Sequence, residues 1–447
     1  MKLIELLGCT NVLVRIINPK VPDVYDGVNN WVVANSFTFP SDIVYINRLC
    51  DVGYANQILL DMTYFDKSGR PNIKYVSSQI EVELLDTKDH QKLIDMYDQY
   101  IMANLINNLG RYFRVGSDPE IFVEDEKGQV IPAYNFLGSK KEPNRTANVN
   151  YGNLPLYWDG PQAEFETSAQ DCLAWQVDSV QAGLKALHQL AKKHNPKAKL
   201  SIKTVMDISM EELQNAKEEH ITFGCMPSFN AYDMSGRQVA ARELPFRSAG
   251  GHIHFGVGKK DKDSILRMVK ALDAILGVAC VSLFAKYDDP RRRQFYGLAG
   301  EYRLPKHGLE YRTLSNAWLF HPVIMNMVFD LGRKALVFGE KGMLKYWKGS
   351  EQETIECINS CNVKKAREIL ERNQAIFYML FESAYGKGDL RAKVAVKTFM
   401  NGMESLIKDP TDFVTNWTLE GEWVTHSEGK NVAAAARTTN GGKTKIA

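Results

Sequence analysis

A chain of 447 residues, 45% hydrophobic and 24% charged, is long enough for two or three domains and has the composition of a globular protein rather than a fibrous or disordered one. With 55 basic against 53 acidic residues the net charge is only +2, which excludes a general electrostatic footprint for nucleic acid or an anionic membrane surface. Seven scattered cysteines predict reduced thiols; with no signal-peptide pattern and no expected 18-residue apolar span, the reading is a cytoplasmic protein.

The first 86 residues read as strands. NVLVRII, DIVYI, NQILLDMTYF and IKYVSSQIEVELL are rich in β-branched and aromatic residues and are separated by Pro- and Gly-containing turns. Helical apolar spacing follows over 93–113, so residues 1–110 are expected to form a β-rich accessory domain with a linking helix.

From residue 111 strands alternate with helices. GSDPEIFVEDEKGQVI predicts a hairpin turning near Glu126–Gly128, and AKLSIKTVMDI a further strand. Amphipathic helices are expected over 171–193 and 263–286, with strands near 117–124, 161–168, 251–257 and 308–314. Residues 111–320 are therefore read as an α+β core and 321–425 as a helical extension. The Gly-rich, polar stretch 426–447 is read as a flexible tail.

Four of the expected strands carry polar side chains two residues apart: Asp118/Glu120, Glu164/Glu166, His252/His254 and Glu310/Arg312. Strand side chains alternate faces, so each pair projects from one side while apolar neighbours fill the other. If the strands share a sheet, one face gathers five carboxylates, two imidazoles and a guanidinium. Such a face repels itself unless cations and anions share it, and metal plus phosphate is the simplest reading. Neither a GxxxxGK[ST] P-loop nor a strand-to-helix GxGxxG or a GxSxG elbow occurs. Cys225 is read as a buried turn residue. Cys357 and Cys361, one helical turn apart, lack further ligands at zinc spacing.

The ordered blocks GSDPEIFV, GSKKEP, DGPQAEFE, FGCMPSFNAY, AGGHIHFG and YGLAGEYRLPKHGLEYRTLSN, spread over about residues 112–320, resemble the phage-encoded carboxylate–amine ligases of the glutamine synthetase and glutamate–cysteine ligase superfamily. The resemblance does not reach residues 1–110. It implies an antiparallel sheet curved into a glutamine synthetase-like half-barrel with covering helices, binding ATP and Mg²⁺. It also implies activation of a carboxylate as an acyl phosphate, followed by attack of an amine to form an amide.

Hard Mg²⁺ takes oxygen ligands and bridges carboxylates to phosphates, which suits Glu120, Glu164 and Glu310 first, then Glu166 and Asp118. His252 follows two glycines that permit close backbone approach, and it resembles the superfamily histidine that contacts metal and nucleotide phosphate; a nitrogen ligand brings in Mn²⁺ as the alternative ion. Arg303 and Arg312, with Glu310 between them, resemble the superfamily's phosphate-binding arginines and are the expected catalytic group. Arg293 and Lys141, with Lys140 beside it, complete the expected nucleotide contacts. The substrates expected are a small-molecule or peptide carboxylate and an amine. Residues 1–110 are read as the part suited to a virion or other assembly, and the location as the cytoplasm of a host cell or a virion. Two other readings compete: a non-catalytic virion protein that keeps the ligase fold, and a metal-dependent hydrolase. Retention of the acids and of GGHIH argues against the first, and the arginines against the second.

Overall fold

The computed structural model describes residues 113–146, 153–209, 228–232, 245–294, 296–306, 308–385, 390–419 and 422–423, the single positions 211, 217 and 220, and the strands of the first 112 residues. The chain divides into two compact units, Met1–Leu105 and Ile106–Ala447.

In the first unit β1 (Val12–Ile16), β2 (Trp31–Val33), β3 (Ile43–Asp51), β4 (Gln57–Phe65) and β5 (Ser78–Leu84) form an antiparallel sheet in the order β2-β1-β5-β4-β3. The four apolar runs supply β1, β3, β4 and β5. The three-residue β2 is too short to show alternation and escapes a sequence reading. The helix expected over 93–113 falls almost wholly outside the described residues, as do the tail 426–447 and Cys225.

The second unit is built on an eight-stranded antiparallel sheet. Its strands, with the short ones that flank them, are β6 (Arg114–Ile121), β7 (Val123–Glu124), β8 (Asn144–Arg145), β9 (Pro155–Asp159), β10 (Gln162–Phe165), β11 (Lys199–Leu200), β12 (Val205–Asp207), β13 (Phe229–Asn230), β14 (Phe246–Ser248), β15 (Gly251–Gly256), β16 (Glu301–Arg303) and β17 (Leu309–Tyr311). The large sheet runs β13-β16-β17-β15-β6-β10-β9-β8, while β7 pairs with β11 and β12 with β14. The single strand expected from AKLSIKTVMDI is thus two. The Ser201 amide still bonds the Phe122 carbonyl, but Ser201 Oγ then takes the Lys203 amide and turns the chain toward β14.

Period-2 alternation explains why helices cover one face only. Ile121, Ala163, Phe165, Ile253, Phe255, Leu309 and Tyr311 are buried on the apolar side. Phe165 packs so tightly on the helix Leu173–His194 that a Cβ on Gly183 would lie 2.5 Å from its ring. Phe255 meets the helix Pro322–Glu340, which itself packs on Lys262–Ala271. Further helices follow at Glu351–Asn359, Val363–Arg372, Gln374–Tyr385 and Leu390–Asn401.

The expectation of no long apolar span needs correction. The helical stretch Lys262–Tyr287 is long and apolar enough by composition to cross a membrane, but 89% of its apolar window is buried inside this fold. Lys262, Lys270 and Asp273 hide that span from a reading by uninterrupted runs, while a whole-window average exposes it. The stretch opens into a π-turn at Leu272–Gly277.

Candidate active site

The strand order β17-β15-β6-β10 makes the four polar pairs neighbours on the sheet face opposite the helices. Glu164 stands opposite Glu120, His252 opposite Asp118, and His254 opposite Glu310. β15 can lie where it does because Gly251 has no side chain: a Cβ there would sit 2.2 Å from the Ser315 carbonyl oxygen and 2.3 Å from Trp318 Nε1.

Two groups of donor atoms result, each with its atoms within 4.8 Å of one another: Asp118, His254 and Glu310, and Glu120, Asp159 and Glu164. In the first, His254 Nε2 lies 2.9 Å from Asp118 Oδ1 and His252 Nδ1 lies 3.5 Å from Glu310 Oε1. Glu310 also pairs with both arginines: Arg303 grips it through Nε and Nη2, and Arg312 Nε approaches to 3.2 Å. Arg312 is itself buried, donates through Nη1 to Ser228 Oγ, and lies over the Tyr296 ring.

In the second group Glu120 accepts from Tyr296 Oη at 2.8 Å and from the Gly250 amide at 2.6 Å. Tyr157 Oη lies 2.7 Å from Glu164 and 2.6 Å from Glu166, and Lys140 Nζ donates to that same oxygen at 2.9 Å. A phenol has one proton to give, so it can serve only one of the two carboxylates as donor at a time; the other contact needs a proton on the acid. Glu164 is the acid suited to hold it. Burial, then the charges of Asp118, Asp159 and Glu120, push its carboxyl well above the usual range.

The same forces act across the face. Burial, then Asp159, raise Glu120 to about 7. Burial and the cations Arg312, Arg303 and Arg292 hold His252 neutral, well below its ordinary value. His254 moves the other way: burial opposes its charge, but Asp118 more than offsets this. Glu166 is lowered against its partial burial by Tyr157 and Lys140.

A cleft of about 870 Å³ opens over the first group. Asp118, His254, Glu310, Arg303, Lys140 and Glu166 form its polar side, and Phe229, Leu304 and Pro305 its apolar lip. Neither Glu120, Glu164, His252 nor Arg312 lines this cleft. Glu166 stands at its edge, bonded to Lys140 and Tyr157 rather than joined to either donor group.

Two expected contacts lie elsewhere. Arg293 is buried against protein, donating to the carbonyls of Thr313 and Ile358 and pairing with Asp288, so the structure does not bring it to the cleft. Lys141 is exposed, and Lys140 is the lysine that reaches the site. Asp159, Tyr157 and Tyr296 are site residues that the sequence reading missed. Tyr157 and Asp159 are two apart on β9, the hairpin partner of β10, and the same alternation rule could have found them.

Oxygen donors dominate both groups, and in the second three carboxylates offer oxygens within 4.8 Å of one another. That donor set fits a hard divalent cation; the imidazole in the first group also fits Mn²⁺. The fold and face together define an α+β protein with a cation-suited acidic sheet.

Residues 237–419 match the family described as Phage phiEco32-like COOH.NH2 ligase-type 2, which bears out the resemblance seen in the sequence. The matched stretch begins after β10 and runs into the helices beyond residue 321, later in the chain than the sequence blocks suggested. No curated protein matches the chain. Among solved structures, a bifunctional glutathione synthetase from Pasteurella multocida is similar at 11% identity and a TM-score of 0.40, over 76% of this chain and 52% of that one. This chain thus spans about half the length of that synthetase. GmaS, solved without ligand, is similar at 11% identity and a TM-score of 0.36, over 89% of this chain and 95% of that one.

Proposed function

We propose that the protein is an ATP-dependent carboxylate–amine ligase that forms an amide through an acyl phosphate, on a sheet curved in the manner of glutamine synthetase. The observation that carries this reading is the buried acidic face, divided into two donor groups beside Arg303 and Arg312, in a chain whose residues 237–419 match a ligase family. Hydrolysis at a metal site has no need of two arginines, one of them buried, converging on one carboxylate.

Divalent cations at the two donor groups would join the carboxylates to the phosphates of ATP and neutralise charge during transfer. The chain's own residues do the rest. Arg303, held rigid by Glu310 and facing the cleft, meets the equatorial oxygens of the transferred phosphate; Arg312 adds positive charge behind it. His252 stays neutral among the arginines and so adds no competing cation. Lys140 exchanges Glu166 for the incoming substrate carboxylate, and Glu166, once released, accepts a proton from the attacking amine. The apolar lip of Phe229 and Leu304 excludes water from one side of the cleft.

Isotope tracing tests the mechanism. Phosphate release should require ATP, Mg²⁺, a carboxylate and an amine, and oxygen-18 in the carboxylate should appear in the phosphate. Label that stays out of phosphate while ATP is consumed rules out the acyl phosphate. Binding gives an independent check, since a ligand at 100 times its Kd stabilises the folded state by about 2.7 kcal/mol. A melting point unmoved by ATP with Mg²⁺ would count against the reading as a whole.

A further inference from the structure

The buried helical stretch behind the sheet contains an acid that the mechanism above does not use. Asp273 lies in the π-turn Leu272–Gly277 and is fully buried. π-turns interrupt the regular helical ladder and recur at functional sites. A buried carboxylate is tolerated only where donors converge on it. Here Tyr311 Oη donates to Oδ1 at 2.7 Å and Thr313 Oγ1 lies at 3.3 Å. Burial raises its carboxyl to about 7, against hydrogen bonds from Tyr311, Tyr232, the Gly300 amide and Thr313.

These donors belong to three separate pieces of the site wall. Tyr311 and Thr313 flank Arg312 and follow Glu310. Gly300 immediately precedes β16, which carries Arg303. Tyr232 lies in the turn that follows β13, and Ser228, just before β13, accepts the Arg312 bond. That turn is also clamped to the residues before β16, through Asn230 Nδ2 to the Ala299 carbonyl at 2.8 Å and the Ala231 amide to the Gly300 carbonyl at 2.9 Å. One carboxyl therefore joins the segments that carry Arg303 and Arg312 to the one that holds Ser228.

We propose that Asp273 is a positioning residue: from the helix side of the sheet it fixes β16, β17 and β13 with the turn after it in one alignment, and so sets the spacing of Arg303, Glu310 and Arg312. The claim about alignment stands on the bonds of Asp273 to Tyr311 and Thr313, of Thr313 to the Leu298 carbonyl, and of Asn230 to the Ala299 carbonyl, and its consequence for phosphate rests on the ligase reading.

Asp273→Asn in the full chain keeps the shape and removes the charge, turning an amide donor toward other donors. Tyr232→Phe removes one donor and keeps the ring. The measurements are the KM for ATP·Mg²⁺, kcat, and amide hydrogen exchange. Asp273→Asn should lose roughly 10- to 100-fold in kcat/KM, as expected when reacting groups are held out of place. Exchange should quicken in 228–232 and 298–303 while the helix Pro322–Glu340 keeps its protection; Tyr232→Phe should move both readouts the same way by less. A merely structural role would lower the melting point and leave KM and the exchange pattern unchanged, and that result overturns the proposal. If the wild-type protein neither binds nor consumes ATP, the ligase reading fails, and exchange alone decides the alignment. Quickening confined to the named segments sustains it, and unchanged exchange overturns it. If Asp273→Asn does not fold, Tyr232→Phe decides by the same readouts.

Discussion

Glu120 accepts two good hydrogen bonds, yet burial and then Asp159 still raise its carboxyl to about 7. Between its ordinary value near 4.5 and about 7, the folded chain holds a proton there that the unfolded chain has lost. Stability from this group therefore falls as pH rises through that window, by roughly 3 kcal/mol at most. Glu120→Gln and Glu164→Gln should consequently leave the melting point unchanged or higher at pH 8, while weakening Mg²⁺ binding in titration calorimetry. Unfolding of either variant would mean that these acids serve the fold instead. Because a cation must displace the same proton, Mg²⁺ affinity should rise with pH up to about 7 and then level off. For the proposed chemistry, Arg303→Ala should lower turnover by about 10²–10³, the cost of losing one fixed contact to the transition state, with Arg303→Lys only partly restoring it. Arg312 keeps Glu310 paired in either variant, so circular dichroism should stay that of the wild type. These residues were legible because a strand pattern of two exposes its own polar face. Asp159 obeys the same pattern but was passed over, because an acid before glycine in WDG also reads as turn chemistry. Tyr296 was not legible, since it reaches Glu120 across 176 residues of sequence.

At the scale of elements, β15 carries both histidines and depends on Gly251 for its seat against Ser315 and Trp318. Gly251→Ala forces a methyl group into a backbone carbonyl and a buried indole, neither of which is the end of a flexible chain. The expected cost is about 1–3 kcal/mol or more, read as a lower denaturant midpoint, with weaker cation binding because His254 moves with its strand. An unshifted midpoint would show that β15 has room the structure does not reveal. Elements were legible where a periodic run was long: the helix Leu173–His194 and strands β4, β6 and β15 fall close to their expected positions. Short ones were not. β8, β13 and β16 are too brief to show alternation, β13 pairs with β16 far along the chain, and AKLSIKTVMDI breaks where a serine side chain captures a backbone amide. Arg293 was read as a nucleotide contact from its charge. The structure buries it beside Arg292: Arg292 donates to carbonyls of the segment after β17, and Arg293 divides its guanidinium among the Thr313 and Ile358 carbonyls and Asp288.

For the whole molecule, every residue of both donor groups lies in the unit Ile106–Ala447. A chain of residues 106–447 expressed alone should therefore retain the ATP·Mg²⁺-dependent rise in melting point; loss of that rise would assign the first unit a part in the site. The connections within the second unit carry a further consequence, for how it folds. Glu120 takes a bond from the Gly250 amide 130 residues away and another from Tyr296, and the Glu120 carbonyl accepts from Asn316 across 196. Contacts between such distant parts of a chain form only after large loops have closed, which makes them slow to appear. No early hairpin or isolated helix can contain a finished donor group, since the first group draws on β6, β15 and β17 and the second needs β6 beside the β9–β10 hairpin. Ion capture thus reports on completed assembly: a chain stalled with any one of β6, β9, β10, β15 or β17 out of place holds acids and arginines in the right numbers and still has no site.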